Sequence, residues 1–201
     1  MSRVSPRAAR LAAWIAVPAA LVASGVVVST ASYSAFSATT TNPTSNWTAG
    51  TVALSDDDAN TALFAASAAN LKPGSTDSKC ITVTSTGSLP STVKLYATSP
   101  STSSVLAQNT TIKIEQGTGG GFSSCSGFTP AATGGTLFEN TLPNLGTQAT
   151  NFASGLGAWT TTGAASETRV YRLTYTVSAN TPNTAQGTTA SIGLTWEAQN
   201  N

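Results

Sequence analysis

At 201 residues and 20.2 kDa the chain carries nine Lys or Arg, eight Asp or Glu and no histidine, so only 8% of it is charged, against about 25% in a typical soluble domain. With 35 Thr and 26 Ser, hydroxyl residues take the water-facing role, and 40% hydrophobic residues can build a sizeable core, which excludes wholesale disorder. A net charge of +1 excludes the usual phosphate-binding surface and with it nucleic acid as a partner, while the lack of histidine excludes HExxH proteases and Ser-His-Asp or Cys-His hydrolases as they are usually built.

Arg3, Arg7 and Arg10 precede Leu11 to Val28, an apolar run broken by Ser24 and Gly25, and small residues then crowd Ser29 to Ala35. The pattern predicts a helical secretory signal peptide over residues 1–34. Cleavage is expected after Ala31 or after Ser34, and the residues do not choose between them. The apolar run nearly spans a bilayer, so an uncleaved segment would be the protein's one membrane link. All three arginines leave with it, and six basic against eight acidic residues remain, a formal charge of −2. No cysteine stands near the junction, and Arg3, Arg7 and Arg10 are not adjacent, so neither a lipid anchor nor a twin-arginine signal is indicated.

Residues 35–201 are expected to form one all-β domain. Trp47 to Leu54 is a candidate strand, and Asp56 to Ala69 is a short helix or an irregular excursion. Ile81 and Val83, then Val93 and Leu95, repeat at every second position around a turn of Gly87, Ser88 and Pro90, which predicts an antiparallel pair. Thr110 to Glu115 continues the alternation through Ile112 and Ile114, with Lys113 and Glu115 on the opposite, water-facing side. Gly117 to Gly121 ends it as a flexible hairpin end. Ser123 to Gly163 alternates Gly, Pro and Asn with apolar anchors such as Phe138, Leu145 and Trp159, the mark of ordered loop or short strands. Val170 to Val177 and Ser191 to Glu197 are the clearest strands, and the hairpin-sized loop between them predicts that they pair directly. Five or more strands without long helices give a single β-sandwich or jelly roll.

Several segments resemble the TasA and camelysin family of secreted bacterial matrix proteins. The junction Ser32-Tyr33-Ser34-Ala35-Phe36-Ser37 is similar to that family's small-aromatic-Ala-Phe step, and Trp47-Thr48-Ala49-Gly50-Thr51-Val52-Ala53-Leu54 to its first strand. Asn70-Leu71-Lys72-Pro73-Gly74 matches the family's turn, Ile81 to Leu89 and Val93 to Tyr96 resemble the strands behind it, and Ile192 to Gln199 its closing strand. Residues 105–163 are not covered. The resemblance implies a jelly-roll-like sandwich, export through a dedicated signal peptidase, and self-association into extracellular fibres of a biofilm matrix. Camelysin relatives have also been called metalloendopeptidases, and the absence of histidine separates this chain from that activity.

Few residues carry chemistry. Cys80 and Cys125, the only cysteines, are expected to form a disulfide in an exported chain. Asp56, Asp57, Asp58 and Asn60 offer oxygen ligands but lack an EF-hand's glycine and bidentate Glu, and the expected reading is a solvated acidic turn. Trp47, Trp159, Trp196, Tyr171 and Tyr175 are either a sugar-binding platform or core aromatics, and core is the commoner outcome. No metal, cofactor or catalytic residue is expected. Tyr33, Ala35, Phe36 and Ala38 form a short, uncharged, β-prone stretch suited to joining a neighbouring molecule's sheet edge as a donor strand. The expectation is a secreted or cell-surface, non-enzymatic subunit or accessory of matrix fibres; the alternative is a monomeric surface module binding a glycan or protein.

Overall fold

The computed structural model describes residues 49–201 other than 65–67, 69 and 123. The signal segment, Ala31, Ser34, the candidate donor strand at Tyr33, Ala35, Phe36 and Ala38, and Trp47 lie outside the described residues.

Two antiparallel sheets enclose one core, so the chain is an all-β sandwich. The wider sheet runs β1 (Leu54–Asp56), β2 (Thr76–Ser85), β8 (Glu167–Val177), β4 (Thr110–Thr118) and β5 (Thr129–Pro130), with β6 (Thr136–Thr141) also on β4. The narrower sheet runs β7 (Leu156–Thr161), β3 (Ser91–Ser101) and β9 (Ser191–Asn200). Among the described residues two short helices, α1 (Val105–Gln108) and α2 (Leu142–Gln148), interrupt the strands. The Ser104 hydroxyl caps α1 by accepting the Ala107 N–H at 3.1 Å, and α2 carries Leu145 into the core.

Three of the strand pairs are rungs of one long hairpin. Ile114 opposes Phe138 in β4 and β6, Val93 opposes Trp159 in β3 and β7, and Ile81 opposes Tyr171 in β2 and β8. The paired residue numbers share a single constant sum, so the register runs unbroken apart from one-residue shifts beyond Val93 and Ile114. Folding that ribbon over puts its middle rung, β3 with β7, in one sheet and its outer and inner rungs in the other, which is the jelly-roll wiring. β8 lies between β2 and β4, and β9 flanks β3.

Two expected pairings are therefore corrected. The Ile81–Val83 and Val93–Leu95 strands are not neighbours in a sheet: β2 pairs with β1 and β8, while β3 pairs with β7 and β9. Likewise β8 and β9 belong to different sheets, joined across the sandwich by residues 178–190 with a 3-10 turn at Asn183–Ala185. In both cases the apolar faces meet through the core rather than side by side, and period-two alternation is the same for either arrangement. Of the described residues 49–54 of the first candidate strand, only Leu54 lies in β1. Residues before it run beside the β2–β3 turn, where the Ser88 and Leu89 amides donate to the Thr51 carbonyl.

Candidate functional site

The most constrained polar arrangement among the described residues lies on the outer face of the wider sheet, under the tip of the long hairpin. Antiparallel register places Cys80, Arg172 and Glu115 in one row across β2, β8 and β4, and Val170 beside Gly117 further along β8 and β4. Strand alternation sends these side chains away from the core that Ile81, Tyr171 and Ile114 enter. The tip between β4 and β6 then folds back over the row. Gly119 and Gly120 turn it with φ of +79° and +78°, and a Cβ on Gly117 would collide with the Thr129 carbonyl, so this return needs glycine.

Four contacts hold the tip down. Cys125 is bonded to Cys80, with the Cα atoms 5.3 Å apart, which is the expected disulfide. The Asp57 carboxylate accepts the Thr82 amide of β2 at 2.8 Å with one oxygen and the Phe122 amide of the tip at 2.9 Å with the other. The Phe128 ring lies 4.6 Å from the Arg172 guanidinium, a cation–π contact. Thr129–Pro130 pairs with Gly117–Thr118 as β5.

Beneath the tip, Arg172 donates from Nε and Nη2 to Glu115 Oε2 at 2.8 and 2.7 Å, and Lys113 Nζ stands 3.4 Å from Oε1. Glu115 is only 5% exposed. The expectation that both charges of β4 face water thus holds for half-exposed Lys113 and is corrected for Glu115. A carboxylate is buried at tolerable cost only when paired and hydrogen-bonded, and two cations meet that condition here. The tip is what excludes water from it. A glycine-rich stretch followed by a cysteine, opposite a strand with its own cysteine, was the available signal that something covers this face.

The acidic turn is a structural knot. Asp57 serves the two amides above, Asp58 Oδ1 accepts the Asn60 amide at 2.7 Å, and Asp56 Oδ1 accepts the Asp58 amide at 3.3 Å. Partial burial, followed by a side-chain hydrogen bond with Asp58, raises the Asp56 pKa above its usual value, opposed by the Asp58 amide. Asp77 sits at the other end of β2, opposite Tyr175 and 3.7 Å from Lys79 Nζ, and does not join Asp57. Among the described residues no group of three or more His, Cys, Asp or Glu gathers to hold a metal.

The described aromatics of the platform-or-core set turn inward. Trp159, Tyr171 and Tyr175 are buried, and Trp196 is half-buried against Tyr171, ring centres 5.4 Å apart. Beside β9 the two sheets part to leave an apolar cleft of about 890 Å³ lined by Phe64, Leu106, Leu142, Tyr175, Ile192 and Trp196.

Tyr171 gives the sandwich an alkaline limit. Burial pushes its hydroxyl up to about 12, opposed by the Arg169 charge and the neighbouring Trp196 indole. In the unfolded chain the phenol ionises near its ordinary value of about 10. Its contribution is therefore complete below pH about 10 and is lost as pH rises toward 12, by about 2–3 kcal/mol in all. Urea unfolding at pH 9 and pH 11.5 should show the wild type losing about 2 kcal/mol more than Tyr171→Phe. Equal losses in both proteins would assign the alkaline limit to other groups.

The fold and this face define an all-β sandwich whose hairpin tip is tied to β2 by a disulfide, above an internally neutralised ion pair between β4 and β8. No known family model matches the chain, and no curated protein matches it.

Proposed function

We propose that the protein is an exported, non-enzymatic structural subunit or accessory of extracellular or cell-surface fibres, assembling by addition of its N-terminal segment to a neighbour's sheet. The observation that carries this reading is the flank of the narrower sheet. β9 is ten residues long and, among the described residues, pairs with β3 alone, whereas β2, β4 and β8 each have strands on both sides. An open strand edge offers a row of backbone donors and acceptors to another chain. The uncharged stretch around Tyr33, Ala35, Phe36 and Ala38 is the proposed donor, and a surface poor in charge opposes close approach of subunits only weakly. The resemblance to TasA and camelysin supports the same reading. The disulfide fits an oxidising compartment and hence export.

The test is light scattering with negative-stain imaging of residues 35–201 over a range of concentration, salt and pH, beside residues 42–201. Filaments from the longer chain and monomers from the shorter are expected. A monomer from both under every condition would remove the fibre reading and favour the surface-binding module.

A further inference from the structure

The disulfide is placed oddly for a staple of the core. It does not join the two sheets: both cysteines lie on the outside of the wider one, and the buried core cluster includes no residue from Gly117 to Pro130 among those described. What it closes is the tip of the hairpin, carried across β8 from the end of β4 to β2. The tip covers Val170 and Glu115, both buried although they stand on the sheet's outer face. Its other attachments are the Asp57–Phe122 hydrogen bond, the Phe128–Arg172 contact and the two-residue β5. The strands below are held by their own ladders and by the core on their inner face.

We infer that Cys80–Cys125 is a thiol-sensitive lock on this tip. Reduction releases residues 119–130 from the sheet, uncovering Val170 and the Glu115–Arg172 pair, while the sandwich stays folded. Cys80 is 1% exposed and Cys125 partly exposed, so an external thiolate reaches the Cys125 sulfur first. The partner is a dithiol, whether a small molecule or a thiol oxidoreductase. Its thiolate forms a mixed disulfide with Cys125 and expels Cys80 as thiolate, and its second thiol then displaces Cys125. Two electrons and two protons pass to the protein, which ends with two thiols, and the dithiol ends as a disulfide. Structural segments open locally in this way when few buried contacts hold them. The inference concerns one molecule and is independent of fibre assembly.

Hydrogen exchange of the full-length chain in mild detergent at neutral pH, with and without dithiothreitol, tests it. Thiol titration of the native protein is expected to find two free thiols after reduction. Amides of residues 119–130 should then exchange at least about tenfold faster, with those of β2, β3 and β8 unchanged and the original rates restored on reoxidation. Cys125→Ser should show the fast tip without reductant. Three results would overturn the proposal: loss of protection through both sheets at once, an unchanged tip despite two titrated thiols, or a disulfide that yields thiols only after denaturation.

Discussion

Leu95→Ala is expected to destabilise the fold by about 3–5 kcal/mol, the range for removing a large aliphatic side chain from a core that cannot collapse around the hole. Leu95 is 0% exposed and stands on β3, the central strand of the narrower sheet, opposite Leu156 on β7 and Trp196 on β9. Backbone ladders to both neighbours hold β3 in place, so the surroundings cannot close the cavity by shifting one strand. Urea unfolding followed by tryptophan fluorescence measures the change, and the melting temperature should fall by about 6–20 °C. A loss below about 1 kcal/mol would place Leu95 at a surface and undo the two-sheet packing.

Replacing both cysteines, Cys80→Ser with Cys125→Ser, is expected to lower stability by about 4 kcal/mol, the chain-entropy value for cross-linked residues 45 apart. The effect acts on the unfolded chain, which the cross-link confines, and so coexists with a native-state change limited to the hairpin tip. Reduced wild type and the double variant should therefore unfold at the same urea concentration, both well below the oxidised protein. A double variant as stable as the oxidised protein would mean that native strain cancels the confinement of the unfolded chain.

Much of the architecture is legible along the chain because its alternation is clean. Ile81 and Val83, Ile112 and Ile114, and Tyr171, Leu173 and Tyr175 each put apolar groups at every second position, and the structure turns all of them into one core or its margin. Phe138, Leu145 and Trp159 mark the glycine-rich middle as ordered in the same way, and they enter the core from β6, α2 and β7. The cysteine pair is legible by count, since a chain with two cysteines has one simple pairing. The cluster under the tip is harder to read. Glu115 alternates like any water-facing residue, and its position is dry because of the returning hairpin tip, held by Cys125, Phe128 and the distant Asp57.

By itself the sequence determined the class of fold, the dry face of each main strand and the two cysteines that bond, because side-chain period and composition are local properties. Tertiary structure alone decided which strands are neighbours. Each strand presents two backbone edges of the same chemistry, so a five-residue turn between β2 and β3 serves a hairpin and a crossing between sheets equally well. What settles the matter is closure of the whole ribbon: β2 finds β8, β3 finds β7 and β4 finds β6 in one continuous register, and rolling that ribbon buries both of its apolar halves at once. The same closure carries the hairpin tip back over β8 to Cys80, where a carboxylate shielded from water meets a guanidinium far from it in the chain.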